Sequence, residues 1–192
     1  MNIGLYFGSF NPIHHGHLII ANFIAENTAL DQVWFVVSPQ NPFKISSTLL
    51  NEYHRLHLVR LAIDGERKLK ATDIEFHLPK PSYTVDTLAY LEEKYPEHQF
   101  SIVMGSDSFQ NIEKWKNAPV LLHRYPVYIY KRAGFDITPV PGATLYPVDA
   151  PLLEISATYI RNCIKERKSI RYLLPDLVKE EIEKYSYYRN PN

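Results

Sequence analysis

The chain has a single cysteine, Cys163, so no internal disulfide can staple it, and a structural, buried thiol in a reducing cytosol is the reading that fits. Its formal net charge is zero, which removes the broad one-sign field that attracts nucleic acid or a membrane surface. Any anion selectivity must therefore be local. No apolar run approaches the length of a membrane helix, and the first residues read as a strand, not as a charged stretch followed by an apolar one. The expectation is a soluble cytoplasmic protein with no nucleic-acid or membrane partner; a homo-oligomer is left open. There is no internal repeat, low-complexity tract or linker. At 192 residues, 45% hydrophobic and 22% charged, the chain is long enough for one α/β domain and short for two. Residues 1–192 are read as one domain, with a helical C-terminal part at about 156–188. Known phosphate loops are missing too. No Gly-Lys-Ser/Thr end makes a Walker A loop, and the glycine spacing is wrong for a dinucleotide fingerprint.

What is present is Gly8-Ser9-Phe10-Asn11-Pro12-Ile13-His14-His15-Gly16-His17, between a strand-like run, Ile3 to Phe7, and a helix-like run, Leu18 to Glu26. A strand, a turn and a helix start are where backbone N–H groups and the helix dipole meet a phosphate. Gly8 reads as the tight turn and Pro12 fixes the loop direction. Gly16 lets a bulky anion approach the first helical turn, flanked by His14 and His17, whose imidazoles can donate to phosphate oxygens. Two plainer readings stand beside this one: histidines that only cap a helix, and a zinc site from His14, His15 and His17, for which no supporting thiol is present.

Further along, Val33 to Val37 reads as a strand buried on both faces, followed by the proline-punctuated loop Ser38-Pro39-Gln40-Asn41-Pro42-Phe43-Lys44. Leu49, Tyr53, Leu56, Val59 and Ile63 predict a helix that stops near Gly65. Ile74, Phe76 and Leu78 alternate with Glu75 and His77, which predicts a strand or extended crossing. A helix from Val85 to Tyr95, entered through Ser82-Tyr83-Thr84, precedes a buried strand from Phe100 to Met104. A short helical piece carries Trp115. Strands follow at Val127 to Tyr130 and at Ala143 to Tyr146, then helices at Ser156 to Lys165 and Pro175 to Tyr185. The alternation implies a mostly parallel, doubly wound α/β sheet with helices on both faces and ligands beyond the carboxyl ends of its strands.

Four loops leave those ends. The histidine turn is the first. The second offers Lys44, either a point charge for a phosphate or a solvated lysine. The third joins Gly105, Ser106 and Asp107 to Trp115, a carboxylate for a ribose hydroxyl and an indole for a ring, or merely a cap and a core residue. The fourth is Ser156-Ala157-Thr158-Tyr159-Ile160-Arg161, whose hydroxyls, N–H groups and guanidinium suit a polyphosphate; alternatively it is an N-cap with a surface arginine. Arg132 at a strand end and Arg55 on the inward face of the second helix are further phosphate candidates. No nucleophile–base motif is visible.

The histidine turn resembles the (H/T)xGH signature of the nucleotidylyltransferase superfamily, and Ser156-x-Thr158-x-x-Arg161 resembles its second, triphosphate-gripping signature. Ser38-Pro39…Pro42-x-Lys44, Ser82-Tyr83-Thr84 and Gly105-x-Asp107 with Trp115 resemble the bacterial-type nicotinate mononucleotide adenylyltransferases of NAD biosynthesis. Phosphopantetheine adenylyltransferases are the nearest competitor, usually with Thr where this chain has His14 and without the aspartate–tryptophan loop. Phe7, Ser9 and Asn11 depart from the Gly, Thr and Asp common in the first loop and leave no acid at position 11.

The resemblance implies a single-domain Rossmann-like fold. It implies adenylyl transfer from ATP to nicotinate mononucleotide, releasing pyrophosphate, with Mg²⁺ borne by the ATP and no metal held by the protein. It makes His14, His17, Lys44 and Arg161 catalytic. ATP would rest on Gly8, Ser9, Phe10, Gly16 and Gly105 together with the histidines, Ser156, Thr158 and Arg161. The mononucleotide would meet Ser9, Lys44, Thr84, Asp107, Trp115 and Arg132. Another nucleotidylyltransferase, a non-catalytic nucleotide-binding protein and a zinc hydrolase are the alternatives carried forward.

Overall fold

The computed structural model describes residues 1–39 and 49–189. The apolar runs form the centre of the sheet. β1 (Asn2–Gly8) pairs in parallel with both β2 (Gln32–Val37) and β4 (Gln99–Gly105). β3 (Leu69–Thr72) adds beyond β2; β5 (Val127–Tyr130) and β6 (Leu145–Val148) add beyond β4, giving the order β3-β2-β1-β4-β5-β6 with every pair parallel. Alternate side chains face opposite ways, so β2 sends Val33, Phe35 and Val37 into one core and Trp34 and Val36 into the other.

The first core is covered by α1 (His15–Asn27), α2 (Glu52–Ala62), α6 (Ala157–Lys165) and α7 (Asp176–Lys184). The second is covered by α3 (Thr84–Lys94), the single turn α4 (Ser106–Phe109) and α5 (Ala118–Arg124). Parallel strands need crossovers, and these supply helices to both layers, while α6 and α7 follow the last strand and complete the first. Cys163 is buried in the first core.

Several elements differ from the sequence reading. The strand expected at Ile74 to Leu78 is a 3₁₀ turn, Ile74–His77, and the strand is the preceding Leu69–Thr72. Three residues per turn puts Ile74 and Glu75 both inward, where a strand would have put them on opposite faces. Trp115 is not within a helix; it terminates a 3₁₀ turn, Ile112–Lys114, and α5 begins only after Asn117 takes a left-handed conformation at φ 54°. Pro175 caps α7 from just outside it. β6 is shifted toward the chain end and carries Pro147, which an edge strand tolerates.

The loops at the carboxyl ends are fastened from within by Arg55, a phosphate candidate in sequence that is fully buried and closed to any phosphate. Its Nε donates to the Leu50 carbonyl at 2.7 Å, Nη1 to Ser9 at 2.6 Å and Ser38 at 2.8 Å, and Nη2 to Pro39 at 3.0 Å. One fork thus ties the chain after β1, the chain after β2 and the entry to α2. Arg55→Ala is expected to lower the unfolding free energy by about 3 kcal/mol or more, because it opens a cavity and leaves buried carbonyls unpaired. Arg55→Lys, without the planar fork, should recover only part of that. A urea titration reads both; a loss below about 1 kcal/mol would remove Arg55 from this role.

Candidate active site

β1 is the point from which the chain turns to opposite sides of the sheet, toward β2 and toward β4, and a crevice opens where neighbouring connections part. A cavity of about 150 Å³ lies there, between the end of β1 at Tyr6, Phe7 and Gly8 and the end of β4 at Val103, Met104 and Gly105. Thr84, first residue of α3, and Trp115 are in its wall, together with Glu75, Ser82, Tyr83, Lys116 and Tyr130. Thr84 and Trp115, read in the sequence as acceptor residues, thus share one cavity with Gly8 and Gly105, which the sequence reading gave to ATP.

The histidines gather beside it. His14 is the N-cap residue of α1 and is buried, yet makes no side-chain cap bond, so its imidazole is not engaged as Ser or Asp would be there. It stacks on His17 at 3.7 Å between centroids and 26° between planes. Gly16 permits this: a Cβ would lie 3.0 Å from the His14 ring. The Nδ1 atoms of both rings are buried with no hydrogen-bond partner among the described residues. The His15 N–H donates to the Leu173 carbonyl and that of His17 to His14, while the Gly16 N–H has no partner among the described residues.

Gly8 serves differently from the tight turn expected of it. The Phe10 ring lies over it, within 2.8 Å of where a Cβ would sit, and the positive φ of 45° belongs to Phe10. Phe10 is itself buried, edge-on to His17, Tyr6 and Phe35, so its ring supports the histidine from below. The Ser9 carbonyl is engaged by Arg55.

The fourth loop closes on the first. Arg161 donates through Nη1 to the Asn11 carbonyl at 2.7 Å and through Nη2 to Thr158 Oγ1 at 3.1 Å. Ser156 caps α6, accepting from the Tyr159 N–H at 3.1 Å, so the capping reading holds for that hydroxyl. Asp107 sits at the start of α4 and faces Arg132, Nε to Oδ1 3.3 Å, in a half-exposed pair. The Arg132 charge acts on both histidines as well. Lys44 lies outside the described residues.

Sequence reasoning missed Tyr6, Tyr130 and Glu75. The two tyrosines share a buried hydroxyl–hydroxyl bond of 3.2 Å, line the cavity, and connect it to the histidine side through the Tyr6–His17 contact. Tyr130 ends β5 and Tyr6 lies near the end of β1, where a polar-tipped aromatic in a buried strand is a usable signal. Glu75 was hidden by its apparent strand alternation. Among the described residues no three His, Cys, Asp or Glu side chains cluster as a metal site.

Burial, then the charges of Arg132 and His15, lowers His14 from 6.5 to about 4; burial, His14 and Arg132 hold His17 well below 6.5. Both rings are neutral at pH 7 and can stack without repulsion. Since the folded value lies below the unfolded one, the stabilising neutral state is complete above pH 6.5 and is lost as pH falls toward about 4. The unfolding free energy should decline across that window by up to about 1.4 kcal/mol per pH unit for each such histidine. Denaturant titrations at stepped pH check this, with a shallower decline expected for His14→Gln.

The match to known proteins runs the length of the chain. Residues 5–163 fit the cytidylyltransferase-like family. A protein of Cytophaga hutchinsonii described as a probable nicotinate-nucleotide adenylyltransferase is 53% identical over 99% of this chain and 100% of its own length. One so described in Flavobacterium psychrophilum is 50% identical over 98% and 100%. In fold, the chain superposes with a TM-score of 0.82 on the nicotinic acid mononucleotide adenylyltransferase of Plasmodium falciparum complexed with NaAD, at 24% identity and 97% coverage of each chain. Carrying the histidine turn, the Ser156–Arg161 helix start and full-length identity of this order, the chain belongs to the cytidylyltransferase-like family, among its nicotinate-nucleotide adenylyltransferases.

Proposed function

We propose that the chain transfers the adenylyl group of ATP to nicotinate mononucleotide, yielding nicotinate adenine dinucleotide and pyrophosphate in cytoplasmic NAD biosynthesis, working as a single domain whose C-terminal helices back the site. A 5′-phosphate oxygen of the mononucleotide attacks the α-phosphorus of ATP in line. The bond from that phosphorus to the bridging oxygen breaks, and the electron pair leaves with pyrophosphate. The attacking phosphate is already an anion near neutral pH, so no protein nucleophile is needed. ATP arrives with its Mg²⁺ as substrate, and Asp107, at the start of α4, would hold a ribose hydroxyl.

The observation that carries this reading is the stacked, neutral His14–His17 pair with unpartnered Nδ1 atoms, beside a cavity walled by Thr84 and Trp115. Neutral imidazoles admit a polyanion without a counter-ion to displace and can take up positive character as phosphate charge develops against them. His14, His17 and the Gly16 amide would hold the α- and β-phosphates. Thr158 and Arg161 would face the outgoing phosphates, Ser156 by way of the helix start it caps, and Lys44 the mononucleotide phosphate. The cavity would take the pyridine ring against Trp115, and Arg132 would exchange Asp107 for phosphate. Charge stabilisation and the alignment of two bound anions supply the rate.

ATP-dependent pyrophosphate release with nicotinate mononucleotide, nicotinamide mononucleotide and phosphopantetheine side by side tests the assignment. The acid mononucleotide should be preferred strongly, and preference for phosphopantetheine would overturn the reading. His17→Ala should cut turnover on the preferred acceptor by about a hundredfold or more while remaining folded. A folded His17→Ala enzyme near the parent rate would remove His17 from the mechanism. Trp115→Ala should raise the KM for the mononucleotide more than that for ATP, and equal rises would contradict stacking on the pyridine ring.

A further inference from the structure

We propose that Glu75 is the positioning residue of the acceptor pocket: its buried carboxylate gathers the hydroxyls of Ser38, Ser82 and Thr87 and so sets the start of α3 against the cavity. The inference rests on the proposed function for the identity of the acceptor.

Glu75 is 2% exposed and lies in the cavity wall. A buried carboxylate is costly unless hydrogen bonds satisfy it, and among the described residues no Lys or Arg forms an ion pair with it. Hydroxyls satisfy it instead. Ser82 Oγ donates to Oε2 and Thr87 Oγ1 to Oε1, each at 2.9 Å, and Ser38 is a third hydroxyl bonded to it. Burial pushes the carboxyl above its ordinary value while these hydroxyls oppose the rise, Ser82 most.

The three donors come from three segments. Ser38 follows β2, and its backbone is pinned by the Gly8 carbonyl and by Arg55. Ser82 lies in the loop before α3, and Thr87 in the first turns of α3. Thr87 Oγ1 also lies 3.2 Å from the Tyr83 carbonyl, but a hydroxyl has one proton, and the nearer, charged oxygen takes it. The hydroxyl protons of Ser82 and Thr87 therefore point at Glu75. Ser82, a cavity-lining residue, is left with lone pairs alone to offer a ligand. Donation to an anionic ring substituent falls to the start of α3, where the Thr84 and Val85 N–H groups have no partner among the described residues. Glu75 both holds that helix start in place and withdraws the competing hydroxyl donors.

Steady-state kinetics of the full chain test this with Glu75→Gln, Ser82→Ala and the double variant. Gln keeps the shape but brings an NH₂ donor into a ring of hydroxyl donors, so one hydroxyl must turn. Glu75→Gln should raise the KM for nicotinate mononucleotide about tenfold or more, leaving kcat and the KM for ATP within about twofold. Ser82→Ala should give a smaller rise of the same kind and add little in the Glu75→Gln background, as expected for residues acting as one unit. Equal rises in both KM values, loss confined to kcat, or additive effects would overturn the proposal. If Glu75→Gln fails to fold, the split produced by Ser82→Ala decides it. Wild-type inactivity toward the mononucleotide would overturn the function and this inference together; wild-type activity with an unmoved Glu75→Gln variant overturns only the inference.

Discussion

A buried guanidinium bonded to four main-chain carbonyls is the constraint on which the catalytic end of this molecule depends. A parallel sheet leaves its functional loops at one edge with no strand partner, and the loops after β1 and β2 carry the histidine turn and the chain that follows Ser38. Arg55 holds both, through Ser9, Ser38 and Pro39, against the entry to α2 at Leu50. Arg161 repeats the device from α6 by reaching the Asn11 carbonyl. Behind them stands Tyr188, its hydroxyl buried without a hydrogen-bond partner among the described residues and close enough to feel both guanidiniums. The C-terminal residues thus back the scaffold that presents the first loop.

With that scaffold set, the electrostatics of the site follow from burial. A chain of zero net charge has no long-range field to draw in ATP, so attraction must arise within the cleft. Two stacked imidazoles are kept neutral by desolvation and so pack face to face without mutual repulsion. The Asp107–Arg132 pair, half exposed and 3.3 Å apart, is a weak, solvent-screened contact. On the acceptor side a buried carboxylate is satisfied entirely by hydroxyls among the described residues. Tyr6 and Tyr130 lie between the halves, packed on His17 at one end and lining the cavity at the other.

Legibility in the sequence tracked how locally each feature is determined. β1, β2, β4 and β5 were readable because strands buried on both faces must be continuous apolar runs. β3 was not, because Leu69-Lys70-Ala71-Thr72 is a short edge strand with little apolar signal, and the neighbouring alternation at Ile74 to Leu78 imitated a strand. The site divided in the same way. His14, Gly16, His17 and the Ser156–Arg161 helix start were readable because their spacing along a turn is itself the geometry. Glu75 was not, since its meaning comes from Ser38, Ser82 and Thr87, up to 37 positions away from it in one direction and 12 in the other.

The sequence alone therefore determined the alternating α/β order, the parallel central strands and the placing of the histidine turn between β1 and the start of α1, because hydrophobic period and turn chemistry act over a few residues. Tertiary structure alone decided that Arg55 fastens loops and meets no phosphate, that Phe10 braces His17 from the core, and that Arg132 bears on the histidines. It also brought Glu75 into the pocket wall. Those roles depend on which side chains burial forces together, and desolvation leaves a buried charge no choice but to find every donor or acceptor within reach.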